Sequence, residues 1–516
     1  MSLEYFSARE RALLGARYDA LYAPPEETPA RGVTVSALRC TPAQFVQKAD
    51  FALEPSPFCA AGFLVRAADF KPGRHPYHAA GAFYSQEPSA SCAAPLLGVK
   101  PGMRVLDMCA APGGKSSQLA AALGGCGVLV ANEFVAARAE ILKQNLERMG
   151  AANAVVLNEA PARIAAALPE FFDRVLVDAP CSGEGMFRKE PEAARQHSEA
   201  LVCQCAALGA EILDAAAAAL APGGELVYST CTFAPEEDEG QAAAFLARHP
   251  EFTLLPVLEH AAAPFGSEGE ANRTGGLPLD VSLVRRIWPC QGGEGHFVAR
   301  FGKAGAPRAL PAPGTLLPEE RAWLGAQQAA QDASKSGARP ARGRAQEEVP
   351  ALRGGRSALR QSIDGKGRAA RGKTGAGQGA AGAAVLAAWR AFAAESFPAL
   401  ADAPALVRGD TVLLAPALPP VNLHILRAGV LAGSAENGRF VPAHHLFTAY
   451  GAQCAVKEAL TLKDARTLRY LHGEEIEAQT AAAGWCCVTV DGWPMGGGKA
   501  SGGRVKNHYP RALRLL

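Results

Sequence analysis

The sequence predicts an α/β protein built on a doubly wound, mostly parallel sheet, and three observations carry that prediction. Between residues 96 and 303, short apolar runs alternate with stretches of helical spacing, the pattern of parallel strands joined by crossover helices. Three of those runs open onto chemically loaded loops. Val105-Leu106-Asp107 leads into Met108-Cys109-Ala110-Ala111-Pro112-Gly113-Gly114-Lys115, Arg174 to Val177 into Asp178-Ala179-Pro180-Cys181, and Glu225 to Tyr228 into Ser229-Thr230-Cys231. Reactive groups gathered at the carboxyl ends of strands are what an active site in such a sheet requires. Finally, a chain of 516 residues with 49% hydrophobic and 20% charged residues can bury a large core and should hold two to four domains.

Taken in order, residues 1–95 combine a helical start over Ala8 to Leu21, a β-like run Gly32-Val33-Thr34-Val35-Ser36 and a helix near Pro42 to Lys48. They predict a small α+β appendage. Residues 96–303 form the main domain, with strands at 104–109, 128–133, 154–158, 174–179 and 224–230 and a late pair near 285–289 and 296–301. Helices are expected at 116–124, 136–149, 194–220 and 236–248. The last of these has Pro235 at its first turn and Glu236, Glu237, Asp238 and Glu239 where the helix dipole favours acids. Residues 304–382 change character: from Lys335 to Lys373 there are eleven basic residues against three acids, amid Gly, Ala and Pro. Such a segment cannot bury a core and predicts a disordered basic linker with attraction for phosphate backbones. A second globular region resumes at 383–516, with apolar runs at 411–415, 421–426 and 485–490.

The net charge of +2 says little by itself, because the basic residues are unevenly spread. No run of eighteen uncharged apolar residues occurs; the alanine-rich stretch 206–221 is interrupted by Glu211 and Asp214 and predicts a buried or amphipathic helix, not a membrane span. The charged start Met1 to Arg11 does not resemble an export signal. Thirteen cysteines without pairing rhythm fit free thiols in a reducing cytoplasm.

The first loaded loop suits a nucleotide-like ligand: glycines allow close approach of the backbone, and the helix that follows offers unpaired amides. Glu133, which ends the next strand nineteen residues after Gly114, is placed to accept hydrogen bonds from ribose hydroxyls. A phosphate-binding P-loop is excluded, since Cys109 occupies the position of its first glycine. Cys181 and Cys231 stand apart from the other cysteines because Pro, Ser, Thr and acids surround them. Cys40, Cys59, Cys92, Cys126, Cys203, Cys205, Cys290, Cys454, Cys486 and Cys487 read as packing residues, and Cys203-Gln204-Cys205 has no mate at zinc spacing. Two thiols fifty residues apart do not make a disulfide oxidoreductase. A thiolate that adds to C6 of a pyrimidine turns C5 into a carbon nucleophile, and that chemistry needs a thiol, a group at N3, a methyl donor and a route to eliminate the thiol. Asp178, Cys181 and Cys231 supply such a set; Asp178 would donate to N3 if burial raised its pKa.

These motifs, together with His75-Pro76-Tyr77-His78-Ala79-Ala80-Gly81, Gln86-Glu87-Pro88-Ser89-Ala90 and His296-Phe297-Val298-Ala299-Arg300, resemble those of the NOL1/NOP2/Sun family of RNA cytosine-C5 methyltransferases, in the family's order, over about residues 20–302. The long C-terminal extension makes the chain most similar to the bacterial branch that modifies 16S rRNA, the RsmF type. The resemblance implies a Rossmann-type class I methyltransferase sheet and S-adenosylmethionine as cofactor, with no metal. It implies Cys231 as nucleophile on C6, Cys181 as the thiol that assists product release, and Asp178 at the base and cofactor. Cys109, Ala110, Ala111, Pro112, Gly113, Gly114 and Lys115 would hold the methionine and ribose portions, Glu133 the ribose hydroxyls. Lys189 would lie near the substrate strand. Where the family commonly has an Asp near the adenine, this chain reads Leu157-Asn158-Glu159-Ala160, so that contact stays unassigned; and Val33-Thr34-Val35-Ser36 replaces the usual Arg-Val-Asn. The tail from Gly492 through Trp493, Gly496, Gly497, Gly498 and Lys499 to Arg504, Lys506, His508, Tyr509 and Arg511 resembles a PUA-like RNA-binding region and suits phosphate contact plus base stacking. The expectation is therefore a cytoplasmic, monomeric enzyme acting on small-subunit rRNA. A tRNA methyltransferase and a non-catalytic ribosome assembly factor are the alternatives.

Overall fold

The structure is a computed structural model and describes residues 2–29, 31–66, 70–312, 315–334 and 378–515. Its central sheet has nine strands: β1 Arg104–Asp107, β2 Val128–Asn132, β3 Ala154–Leu157, β4 Phe172–Asp178, β5 Leu220–Thr230, β6 Phe252–Leu255, β7 Arg285–Ile287, β8 His296–Lys303 and β9 Ile425–Ala428. Across the sheet the order is β6-β8-β5-β4-β1-β2-β3-β9, with β7 paired on β8. Strands β1 to β5 run parallel, and β6 to β9 pair antiparallel. The chain steps outward from β1 through β2 and β3, then returns to the other side of β1 for β4 and β5. The order reverses between β1 and β4, where ligands lodge in sheets of this kind.

The sequence forms these strands because β1 to β4 are almost wholly buried on both faces, so apolar runs without alternation are what the sheet needs. The helices that matter here are α1 Ser2–Leu14, α2 Gly114–Leu123, α3 Ala136–Met149, α4 Pro161–Ala167, α5 Glu199–Ala219, α6 Glu239–Arg248, α7 Pro318–Ser334 and α8 Gln378–Ser396. Helices α2 and α3 cover one face through Leu119, Leu123, Leu142 and Leu146. Helices α4, α5 and α6 cover the other through Ile164, Ile212, Leu213 and Phe245. Truncating one such side chain to alanine costs about 2–5 kcal/mol. Helix α5 is long and apolar enough by composition to cross a membrane, but Val202, Cys205, Ile212 and Leu213 lie in the core.

Several expectations need correction. The helix expected over 194–220 is broken: Pro191–Gln196 is a separate turn of helix, and α5 starts after His197 and Ser198. The His197 ring goes to Glu184, 2.7 Å away, while Ser198 caps α5 by accepting from the Leu201 amide. The helix expected from 236 begins only at Glu239, because Glu237 and Asp238 turn inward to buried partners. The stretch 304–382 is not structureless throughout. Arg308 pairs with Asp173 at 2.7 Å, and α7 rests Trp323 against Phe171 with the Arg104 guanidinium 4.9 Å from its ring. The basic run Lys335 to Lys373 lies outside the described residues.

Nor is residues 1–95 an appendage. Its four-stranded sheet (Glu54–Pro55, Gly62–Val65, Arg31–Val35, Phe83–Gln86) shares one core with the C-terminal five-stranded sheet. Phe45 stacks on Trp493 with ring centres 6.0 Å apart, and Tyr77 donates to Asp491 at 2.8 Å. This overturns part of the reading of the tail: Trp493 and Tyr509 are buried and cannot stack on bases. The glycine run serves packing, since a Cβ at Gly497 would lie 2.3 Å from the Phe447 ring. Outside that core stand the half-buried Trp485 and the exposed His508, with ring centres 4.5 Å apart, and the Lys499 ammonium 5.9 Å from the indole.

Candidate active site

The loop after β1 is held open by its own hydrogen bonds. Ala110 N donates to Asn132 O at 2.7 Å. The Pro112 carbonyl accepts from Asn145 Nδ2 at 2.8 Å and from Tyr84 at 3.2 Å. Gly113 stands before α2 with φ 114°, a left-handed conformation that disfavours any side chain. A Cβ at Gly114 would come within 2.4 Å of the Gln86 side chain, so residues 83–86 press directly on the loop. Asp107 ends β1 fully buried; its Oδ2 accepts from Ser116 Oγ at 2.6 Å, and its Oδ1 has no partner. Burial pushes this carboxyl up to about 7. Glu133 at the end of β2 is also buried, accepting from Val135 N at 2.8 Å with Arg138 3.5 Å away.

These features fit S-adenosylmethionine. Asp107, with a carboxylate oxygen lacking a partner, ends the strand before the glycine loop, and a second carboxylate, Glu133, follows the neighbouring strand, where ribose hydroxyls are met in sheets of this kind. The Cys109 thiol, raised well above its ordinary value by burial and then by Asp107 and Glu133, stays protonated and serves the loop as a packing group. Phe134, which sequence reasoning passed over, is 66% exposed directly after Glu133, and Asn158 Nδ2 pins the carbonyls of both residues at 2.8 Å. An exposed ring on a fixed backbone is suited to cover a flat heterocycle. Glu159 is committed elsewhere: its Oε1 accepts from the His424 amide at 2.7 Å, which ties β9 to the sheet edge.

At the reversal point β4 and β5 bring Asp178, Cys181 and Cys231 together. The Cys181 and Cys231 sulfurs are 3.4 Å apart. Lys115, reaching across from α2, places its Nζ 2.8 Å from Asp178 Oδ2, while Ser229 Oγ donates to Oδ1 at 2.7 Å. Burial alone would raise the Asp178 carboxyl, but Lys115, His296 and the hydrogen bonds from Lys115 and Ser229 outweigh it and hold it below its ordinary value. The expectation of a protonated Asp178 is thereby corrected. It is a carboxylate, and the group able to donate is its partner Lys115, whose ammonium Asp178 stabilises against burial.

The two thiol loops are clamped by a network that the sequence did not reveal. Glu237 accepts from Ser182 N at 2.9 Å and Ser182 Oγ at 2.5 Å, and Ser182 Oγ lies 2.7 Å from Thr232 Oγ1. Glu184 accepts from Phe233 N at 3.1 Å and from Arg9 of α1 at 2.6 Å. Burial pushes Glu237 up to about 7, whereas Glu184, also raised by burial, is brought below its ordinary value by His197 and Arg9. The acid run 236–239 was the only visible signal, and it read equally well as dipole-favouring charge; nothing in the sequence marked Arg9. The Cys181 thiol is raised well above its ordinary value, first by its hydrogen bond to Cys231 and then by burial. Lys189 sits among Glu87, Glu294, Arg188 and Arg31 with its ammonium lowered by burial, beside this site.

Comparison with known proteins agrees with this geometry. Residues 94–302 match the family described as 16S rRNA methyltransferase RsmB/F, residues 4–88 the N-terminal domain of 16S rRNA methyltransferase RsmF, and residues 457–515 the methyltransferase RsmF PUA domain. The chain is 37% identical over 319 residues to the ribosomal RNA small subunit methyltransferase F of Enterobacter sp. (strain 638), covering 60% of this chain and 64% of that one. Against the protein of the same description from Klebsiella pneumoniae (strain 342) the identity is 38% over 323 residues, 60% of this chain and 65% of that one. The matched part thus spans just under two thirds of these relatives' length. Among solved structures, a methyltransferase homolog protein from Pyrococcus horikoshii superposes with a TM-score of 0.51 at 29% identity, over 58% of this chain and 95% of that one.

Proposed function

We propose, from the match of residues 94–302 to the 16S rRNA methyltransferase RsmB/F family, that the chain methylates C5 of a cytosine in small-subunit rRNA through a covalent Cys231 adduct. The observation that carries this reading is the pair of thiols 3.4 Å apart beside the Lys115–Asp178 ion pair. S-adenosylmethionine, when bound between the loop 109–115 and Glu133, supplies an electrophilic methyl group.

The rest is done by side chains. Asp178, ionised, accepts from the exocyclic N4 amino group, which uracil lacks. Lys115 donates toward N3. Cys231 gives up its thiol proton to water as its sulfur bonds to C6, and the electron pair of the C5–C6 double bond moves onto N3 and O2, where the Lys115 charge stabilises it. C5 thereby becomes the carbon nucleophile. Once C5 carries the methyl group, its proton leaves to water and the C6–S bond breaks. Cys181, which keeps its proton, donates it to the departing sulfur and recovers one from water. The target base must be unstacked to reach Cys231. Arg31, Arg188 and Lys189 suit the phosphates of the extruded strand, and Trp485, Lys499 and Lys506 in the C-terminal region offer a second set of basic and aromatic groups. The protein acts as a monomer in the cytoplasm.

The test is transfer of label from S-adenosylmethionine to isolated small subunits, large subunits and tRNA, followed by nucleoside analysis. 5-Methylcytidine in small-subunit rRNA is the expected product. Label confined to tRNA would reassign the substrate, and cofactor binding without transfer to any of the three would sink the enzymatic reading.

A further inference from the structure

His296 is a buried polar group that the chemistry above leaves unused. It opens β8, is 2% exposed, and neither ring nitrogen has a partner within hydrogen-bonding geometry; the backbone of the adjacent Gly295 lies near enough to favour the protonated ring without forming a well-aligned bond. An unpaired buried polar group is unfavourable unless something arrives to pair with it.

Strand register shows where the ring lies. Asp178 pairs with Ser229 across β4 and β5, and Ser229 pairs with Val298 across β5 and β8. Directly opposed residues share a face, as do residues two apart on one strand. Asp178, Ser229 and Val298 therefore project to one side, Cys231 follows Ser229 by two residues, and His296 precedes Val298 by two. The last opposed pair, Phe297 with Thr230, leaves His296 opposite Cys231 at the sheet end. The charges that act on the ring are Lys115, Asp178 and Glu87, so it faces the same space as the ion pair. Burial and the Lys115 charge bring the imidazole down to about 4. The ring is therefore neutral near pH 7, with one N–H to donate, and is too weak a base to hold a transferred proton.

We propose that His296 is a base-contacting catalytic residue whose N–H donates to the cytosine O2, completing the polar frame in which Asp178 takes N4 and Lys115 takes N3. The inference rests on the proposed cytosine chemistry. As the Cys231 sulfur bonds to C6, charge moves onto the N3–C2–O2 unit, and a preorganised donor at O2 strengthens its hydrogen bond in step with that charge. The residue therefore speeds adduct formation and has no part in the later loss of the C5 proton.

The full-length protein is tested with small-subunit rRNA transcribed with cytidine and, separately, with 5-fluorocytidine, which stops the reaction at the covalent stage. His296→Phe keeps the shape of the ring and removes the donor; His296→Asn restores one. For His296→Phe the expected result is kcat/KM on the cytidine RNA and the rate of adduct formation on the fluorinated RNA both down by about 10- to 100-fold. S-adenosylmethionine affinity and melting temperature should be unchanged, and His296→Asn should recover part of the loss. Adduct formation at the unaltered rate, or a loss that tracks a fall in melting temperature and is shared equally by His296→Asn, overturns the assignment. Failure of the unaltered protein to form any adduct or methylated product instead removes the underlying reading, and the inference with it.

Discussion

The sulfurs of Cys181 and Cys231 face each other at 3.4 Å, although fifty residues and the whole of helix α5 separate them in the chain. The contact is made by the parallel pairing of β4 with β5, which sets Asp178 against Ser229 and brings both loops to one end of the sheet. The proposed chemistry gives the two sulfurs different tasks. Cys231→Ala should abolish methyl transfer and form no RNA adduct, while Cys181→Ala should accumulate a denaturation-resistant protein–RNA adduct on gels. A stable adduct with Cys231→Ala would reverse the assignment.

The same proximity makes the pair sensitive to oxidation. A disulfide needs the sulfurs at about 2.05 Å, a closure of little more than 1 Å. Treatment with diamide should remove two titratable thiols, join the Cys181 and Cys231 peptides in a digest, and eliminate activity until dithiothreitol is added. Retention of activity with that cross-link in place would contradict the nucleophilic role of Cys231.

Lys115 and Asp178 form an ion pair with Nζ and Oδ2 2.8 Å apart, both largely buried. Asp178→Asn leaves the ammonium without its counter-ion and removes the acceptor for N4; Lys115→Met removes the donor to N3. Each should lower kcat/KM by about 10²–10³-fold. The double variant should be little worse than either single one, because the two groups act as a unit. Additive losses in steady-state kinetics would argue against a shared role.

Glu133 and Glu159 end neighbouring strands, yet only Glu133 is free to meet a ribose. Glu133→Ala should weaken S-adenosylmethionine binding by about 10-fold or more, roughly the loss of one charged hydrogen bond. Glu159→Ala instead leaves the His424 amide unpaired and should cost stability of about 1–3 kcal/mol, with a smaller effect on affinity. Calorimetric titration and thermal melts distinguish the two.

Glu237 is a pH-dependent element of the thiol clamp. Its folded-state pKa, about 7, is above the unfolded value near 4.3. Folding therefore takes up a proton between these values, and stability falls as pH rises through them. The contribution is absent below about pH 4 and fully unfavourable above about pH 8, with an amplitude on the order of 3 kcal/mol. Glu237→Gln, which cannot ionise, should flatten that part of the stability curve and melt higher than the unaltered protein at pH 8 than it does relative to it at pH 5. An unchanged pH slope would show that Glu237 ionises normally.

Much of this protein was legible before folding was considered. Buried parallel strands leave apolar runs, and glycine loops and reactive residues at their carboxyl ends leave motifs, so β1 to β5 and the positions of the glycine loop, Glu133, Asp178, Cys181 and Cys231 at strand ends could be read by local pattern. Properties that depend on what comes near from elsewhere in the chain were decided only by the tertiary structure. The ionised state of Asp178 comes from Lys115 and Ser229. The clamp on the thiol loops comes from Glu237, Glu184 and Arg9, and the fate of Glu159 from His424, which stands just before β9, 265 residues further along the chain. The aromatics of the Gly-rich tail read as an RNA platform and instead fill the core shared with Phe45 and Tyr77. Charge state and exposure are sums over neighbours through space, and sequence spacing alone carries no record of those neighbours.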